Sequence, residues 1–153
     1  MKIGVISDTH GFLDPKVPEL FTGVSHILHA GDIGPDAIIV ELEAIAPVTA
    51  VLGNTDSSPT FRLTELVTLA QRKFFVHHIV NPHALKEELR VRLARERPDA
   101  VVFGHTHKAF CEVIDGVLYL NPGCAGKPKS GTERSVAILH DDGKVIRPEF
   151  LPL

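Results

Sequence analysis

Short apolar runs recur along the chain, and most close on a glycine or small residue followed by a side chain able to hold a metal. KIGVIS precedes Asp8, SHILHAG precedes Asp32, VTAVLG precedes Asn54, KFFV precedes His77 and DAVVFG precedes His105. Near-continuous Val, Ile, Leu and Phe suit strands buried on both faces, as in a sheet covered by helices. Helical patterns fall between the runs. One covers about 15–22. A second covers about 35–45, with Pro35 and Asp36 in its first positions. The third, about 82–96, carries Leu85, Leu89 and Leu93 on one stripe among charged residues and stops before Pro98. Residues 60–72, FRLTELVTLAQRK, fit either a strand or a helix.

After residue 108 the pattern becomes antiparallel. AFCEVID, Gly116 and VLYLN form one expected hairpin, and SVAILHDDGKVIRPEF a second that turns at Asp142-Gly143. Parallel α/β strands should therefore come first and an antiparallel portion last. Ligands of open α/β sheets collect at the carboxyl ends of the strands, where the metal-competent residues lie.

Composition narrows the function without choosing it. At 153 residues, 44% apolar and 23% charged, the chain fits a single domain spanning 1–153. A net charge of −3 argues against a broad basic face for gripping phosphate backbones, so no nucleic-acid partner is expected. MKIGVISDTH lacks the regions of a signal peptide, and no apolar run reaches the length of a membrane span. Cys111 and Cys124 have no metal-knuckle spacing and read as free thiols of a reducing cytoplasm. The nine histidines carry more information.

Asp8-Thr9-His10 places a carboxylate and an imidazole at i and i+2, and Gly104-His105-Thr106-His107 repeats the device with two imidazoles. Gly31-Asp32 and Gly53-Asn54 each add an oxygen after a glycine, and His77 adds a nitrogen. Each piece alone has an ordinary structural use as a turn, a cap or a hydrogen-bonded core histidine. Together they offer oxygens and imidazoles without thiolate, a set suited to Mn, Fe, Co, Ni or Zn more than to Ca or Mg. Seven donors exceed one tetrahedral ion and suit two divalent ions, which in such pairs lie about 3.5–4 Å apart and clamp a phosphoryl group. Two aspartates against two such ions and a bridging hydroxide leave +1, which attracts an anion.

In order, DTH, GD, GNTD, the His77 region, GHTH and NPG resemble the motifs of calcineurin-like metallophosphoesterases, and within them the compact single-domain phosphodiesterases. The likeness runs from Lys2 to about Leu139. It implies a four-layer α/β/β/α sandwich of two mixed β-sheets flanked by helices. It implies Asp8, His10, Asp32 and His107 on one ion and Asp32, Asn54, His77 and His105 on the other, with Asp32 bridging and manganese first among the candidate metals. Hydrolysis would proceed through the bridging hydroxide, with Asp32, Asn54 and His105 at the reaction centre.

Three departures from the pattern matter. Thr55 stands where many relatives carry a histidine that serves the leaving group. His78 stands where glycine is usual, so His77 is expected to face the metals and His78 to turn aside. Cys124 follows NPG where serine is common, close to the expected site. Asp56 is expected to hydrogen-bond a ligand histidine. The expected function is a metal-dependent phosphodiesterase acting on a small phosphoester, with a homodimer compatible with the pattern. The alternatives are a non-catalytic scaffold, since the retromer scaffold subunit resembles this fold, or a phosphomonoesterase or nuclease of the same superfamily.

Overall fold

The computed structural model describes residues 1–153. The strands are β1 (Lys2–Ile6), β2 (His26–His29), β3 (Val48–Ala50), β4 (Thr64–Leu69), β5 (Arg72–His77), β6 (Ala100–Val102), β7 (Phe110–Ile114), β8 (Val117–Asn121), β9 (Ser135–Asp141) and β10 (Ile146–Pro152). The helices are α1 (Val17–Leu20), α2 (Ala37–Glu43) and α3 (Glu87–Glu96). One sheet has the order β10-β9-β1-β2-β3 and the other β4-β5-β6-β8-β7. β1, β2 and β3 are parallel, as are β5, β6 and β8, while β9, β10, β4 and β7 join antiparallel. This is the mixed four-layer sandwich anticipated from the motifs.

Strand periodicity explains the layers. Ile3, Val5, Leu28 and Ala137 from the first sheet pack with Phe74, Val76, Val102 and Leu120 from the second, forming the layer between the sheets. Alternate residues point outward. Ile6, Ile27, Val136 and Ile138 meet Val17 of α1, Phe21 just after it, and Ile39 and Leu42 of α2. Phe75, Val101 and Tyr119 meet Leu89 and Leu93 of α3. The strands are apolar on both faces because both are covered.

Residues 60–72 resolve as strand: β4 pairs with β5 from Thr64↔His77 to Leu69↔Arg72. Both expected C-terminal hairpins form, as β7–β8 and β9–β10. The third helix starts later than its apolar stripe, at Glu87, because Asn81 caps a turn in which its carbonyl accepts from Ala84 and its side chain from His83. Leu85 nevertheless packs with Leu89 and Leu93. No helix is long and apolar enough to cross a membrane.

Candidate metal centre

The parallel strands of both sheets end at one edge of the sandwich, and the loops leaving them continue side by side. Backbone N–H groups of Asp8, His10 and Gly11 donate to the carbonyls of Gly31, Asp32 and Ile33, while Gly104 N–H donates to His78. Two turns of chain from the first sheet thus face two from the second.

Each carboxylate is held by one oxygen so that the other is free. Asp32 Oδ1 accepts from the Thr55 backbone N–H at 3.0 Å and the Thr55 hydroxyl at 2.8 Å. Its Oδ2 lies 3.3 Å from His78 Nε2 and 3.7 Å from His10 Nε2. Asp8 Oδ2 accepts from Ser7 Oγ at 2.7 Å and from the His105 N–H at 3.2 Å. Its Oδ1 lies 3.2 Å from His107 Nε2, 3.8 Å from His78 Nε2 and 4.0 Å from His10 Nε2. Asn54 Oδ1 is 3.0 Å from His105 Nδ1, and the His105 ring lies 5.4 Å from that of His78. Burial, the largest influence on Asp32, opposes its ionisation. The hydrogen bonds from Thr55 and the nearby imidazoles of His78 and His10 outweigh that effect and hold its carboxyl below the usual value.

The adjacent histidines reverse the expectation drawn from the sequence. His78 is buried and faces the carboxylates, whereas His77 Nδ1 meets Thr64 Oγ1 at 2.8 Å, away from them. Strand alternation is the reason. Phe74 and Val76 face the layer between the sheets, and His78 continues their parity one residue past the end of β5. His77 shares the parity of Phe75, its ring 6.4 Å away, and burial pushes its pKa down.

His78 Nδ1 is 2.7 Å from the carbonyl of Ala30 and therefore carries a proton. Its Nε2 points at carboxylate oxygens. His78 Nε2 and Asp8 Oδ1 are both buried without a hydrogen-bond partner. Orphaned buried polar atoms are costly, and positive charge beside this pair would satisfy both. A histidine that donates one nitrogen to a backbone carbonyl and presents the other is the usual posture of a metal ligand. Two groups converge closely enough for this: Asp8, His10 and His107, and Asp8, Asp32 and His78. Asp8 belongs to both, a shared position that the motif pattern assigned to Asp32. Asp32 Oδ2 also lies between His10 and His78. The donor set fits divalent metal ions.

The backbone is strained where these side chains converge. Asp8, His10, Asp32, His105 and His107 all have positive φ, between 46° and 70°. Left-handed backbone at non-glycine residues costs about 1–3 kcal/mol each and persists when surroundings over-determine it. Asp and His tolerate it better than most residues. The preceding glycines allow close approach: a Cβ on Gly104 would lie 2.6 Å from Asp8 Oδ2, and one on Gly53 would overlap Asp32 Oδ1.

Asp56 corrects a further expectation. Instead of meeting a histidine, its carboxylate accepts backbone N–H groups from Ile33 (3.0 Å), Gly34 (3.1 Å) and Gly53 (2.8 Å), tying the Asp32 and Asn54 loops together. Cys124 is buried, its thiol 3.7 Å from the Asp8 carbonyl, and burial pushes its pKa up. Asn121 of the NPG segment donates to the Gly104 carbonyl and Thr106 Oγ1, bracing the GHTH loop.

His29 was not singled out by its sequence position. It is fully buried, and desolvation pushes its pKa down to about 3. Nδ1 accepts from the Gly31 N–H, so Nε2–H donates to Thr9 Oγ1 at 2.9 Å, and Thr9 in turn donates to the Ile33 carbonyl. The SHILHAG run shows a histidine inside an apolar strand, but its partners come from a distant loop.

Comparison with known proteins agrees with this geometry. Residues 1–144 match the model of the calcineurin-like phosphoesterase superfamily domain. A probable metallophosphoesterase of Methanothermobacter thermautotrophicus is 35% identical over 161 residues, covering 99% of this chain and 92% of that protein. A phosphodiesterase of Methanocaldococcus jannaschii is 33% identical over 147 residues, 82% of this chain and 86% of its own. The crystal structure of Vps29 from Entamoeba histolytica in complex with zinc superposes with a TM-score of 0.77 at 22% identity, covering 99% of each chain, which is a likeness of fold.

Proposed function

The chain belongs to the calcineurin-like phosphoesterase superfamily, and we propose that it is a phosphodiesterase that hydrolyses small substrates at a pair of divalent metal ions. The observation that carries this is the facing pair of partnerless buried atoms, Asp8 Oδ1 and His78 Nε2, 3.8 Å apart among further imidazoles and a second carboxylate. The phosphodiesterase name of the archaeal relative supports the substrate class.

In this reading Asp8, His10, Asp32 and His107 hold one ion, and Asp32, Asn54, His78 and His105 the other. The ions would supply Lewis acidity, bringing the pKa of a shared water toward neutrality and drawing charge from the phosphoryl oxygens. The chain's own groups do the rest. Ser7 and Thr55 fix the carboxylates in ligating posture. Asn54 offers an amide donor to a phosphoryl oxygen. His10, His105 and His107 are exposed at the mouth, leaving an opening for an anion. Manganese leads among the candidate ions, and the two free thiols fit a cytoplasmic setting.

A second reading, a scaffold for other proteins, is favoured by the likeness to Vps29 in fold and in sequence. Protein stripped and reloaded with Mn, Ni, Co, Zn or Mg separates the two. Metal-dependent cleavage of bis-p-nitrophenyl phosphate, abolished by Asp32→Ala and His105→Ala, supports the enzyme. Metal uptake below one equivalent per chain together with no turnover would leave the scaffold.

A further inference from the structure

Beside His107 the surface opens into a cleft of about 1090 Å³. One wall is the loop after β6 that carries His107 and Lys108, and the other is the segment from Pro128 to Arg134 between β8 and β9. The end of β10 contributes Phe150 and Pro152. Phe150 is 37% exposed, so part of an aromatic ring faces this space.

Its charge differs from that of the whole chain, which carries −3. Lys108 and Lys129 line the cleft, are exposed, and form none of the molecule's ion pairs. Arg134 is committed elsewhere: it bonds Asp14 at 2.9 Å and the Gly126 carbonyl at 2.5 Å. Glu133 is the single acidic side chain of the lining. Space on this scale exceeds what a phosphoryl group and a small alcohol need, since pockets for drug-sized ligands run to about 300–1,000 Å³.

We propose that this cleft receives one ester arm of the substrate, and that the arm carries its own anionic group on a ring-bearing or otherwise apolar body. The proposal rests on the phosphodiesterase reading. His107 marks the junction: the phosphoryl group lies on the metal side of it and the arm on the other. The ring of Phe150 and the prolines give apolar surface to the body of the arm. Lys108 and Lys129 face its anion across a short, partly solvated gap. A plain alkyl arm would leave both lysines and the aromatic face unused.

Three diesters that share the p-nitrophenyl leaving group test this: methyl, phenyl and 4-carboxyphenyl p-nitrophenyl phosphate, assayed with the metal-loaded full chain. Wild type should show the highest kcat/KM on the carboxylated diester, mainly through a lower KM. In the Lys108→Glu/Lys129→Glu double variant the ratio of carboxylated to phenyl kcat/KM should fall about tenfold, roughly two exposed charge pairs in size, and the wild-type preference should shrink with added salt. Phe150→Ala should lower the ratio of phenyl to methyl turnover. Ratios unchanged in both variants, with circular dichroism and metal content like wild type, would overturn the assignment of the cleft while leaving the phosphodiesterase intact. No turnover of any of the three diesters would overturn both.

Discussion

His78 Nε2 lies 3.3 Å from Asp32 Oδ2, while His78 Nδ1–H is committed to the Ala30 carbonyl. The adjacent His77 spends its ring on Thr64 instead. Removing the two imidazoles should therefore have unequal effects. His78→Ala should cost at least one equivalent of bound metal and lower kcat/KM by 100-fold or more, beyond the roughly 10–100-fold typical of groups that merely support a ligand. His77→Ala should keep full metal stoichiometry and lose no more than about threefold in activity, on the scale of a single neutral hydrogen bond. Metal content by elemental analysis together with steady-state rates checks both, and the reverse order would refute the placement.

Asp56 serves three backbone donors with one carboxylate and so fixes the spacing of two loops. In Asp56→Ala the N–H groups of Ile33, Gly34 and Gly53 lose their acceptor. Hydrogen bonds to charged groups are worth about 1.5–3 kcal/mol, and water will replace part of the loss, so about 3 kcal/mol of destabilisation is expected. For a chain of this size that corresponds to a fall of roughly 6–12 °C in Tm. Asp56→Asn keeps an acceptor and should fall by less than half as much. Thermal unfolding without added metal isolates this effect from ligand binding, and an unchanged Tm in Asp56→Ala would rule it out.

Sequence pattern revealed the sandwich and pointed to Asp8, His10, Asp32 and His107, which lie together, and to Asn54 and His105, which meet each other near His78, because each follows a run whose apolar character both requires a covered strand and ends abruptly. The pair His77-His78 was misassigned for a reason present in the same run. Alternation along Phe74, Phe75 and Val76 says that the two histidines part, but only knowledge of which face meets the other sheet says which one goes inward. The β4–β5 hairpin was obscured by its turn. Ala70 and Gln71 adopt positive φ of 47° and 70° between the paired Leu69 and Arg72. Such tight turns usually announce themselves with Asn or Gly, whereas Ala and Gln favour helix. Asp56 and His29 were legible as polar residues near the motifs, but their partners lie across loops that no spacing rule connects.

The buried His29 should leave a mark on acid stability. Its folded-state pKa is lowered to about 3 from an ordinary 6.5 because burial disfavours the charged ring. Between those values the unfolded chain binds a proton at this position and the folded chain does not. Stability therefore rises with pH across that window and is lost as pH falls from 6.5 toward 3, at up to about 1.4 kcal/mol per pH unit. His29→Gln cannot titrate and should remove that share of the slope. Asp32 and Asp14, whose pKa values are lowered from 3.8, act at the acid end of the same window and are common to both proteins. Urea unfolding of wild type and variant at about pH 4, 5 and 6 provides the comparison. Equal slopes would show that His29 is not held neutral.

Thr55 bears on how the leaving group departs. Its hydroxyl donates to Asp32 Oδ1 at 2.8 Å and its backbone N–H reinforces the same oxygen at 3.0 Å, so the side chain is occupied in orienting a carboxylate. An aliphatic hydroxyl is also far too weak an acid to serve as a general acid near neutral pH. General acid assistance is typically worth 10²–10⁴-fold, and without it the rate must depend steeply on leaving-group pKa. Under single-turnover conditions, p-nitrophenyl diesters should be cleaved at least about 100-fold faster than dialkyl diesters. Thr55→Val keeps the backbone hydrogen bond but loses the hydroxyl, and should lower the rate on both classes by about tenfold, the scale of one hydrogen bond to a charged group. Because the lost contact acts on Asp32 and not on the leaving group, the ratio between the classes should stay fixed. A p-nitrophenyl to dialkyl ratio that widens in Thr55→Val, or a wild-type enzyme that cleaves both classes equally fast, would assign Thr55 a direct part in proton transfer.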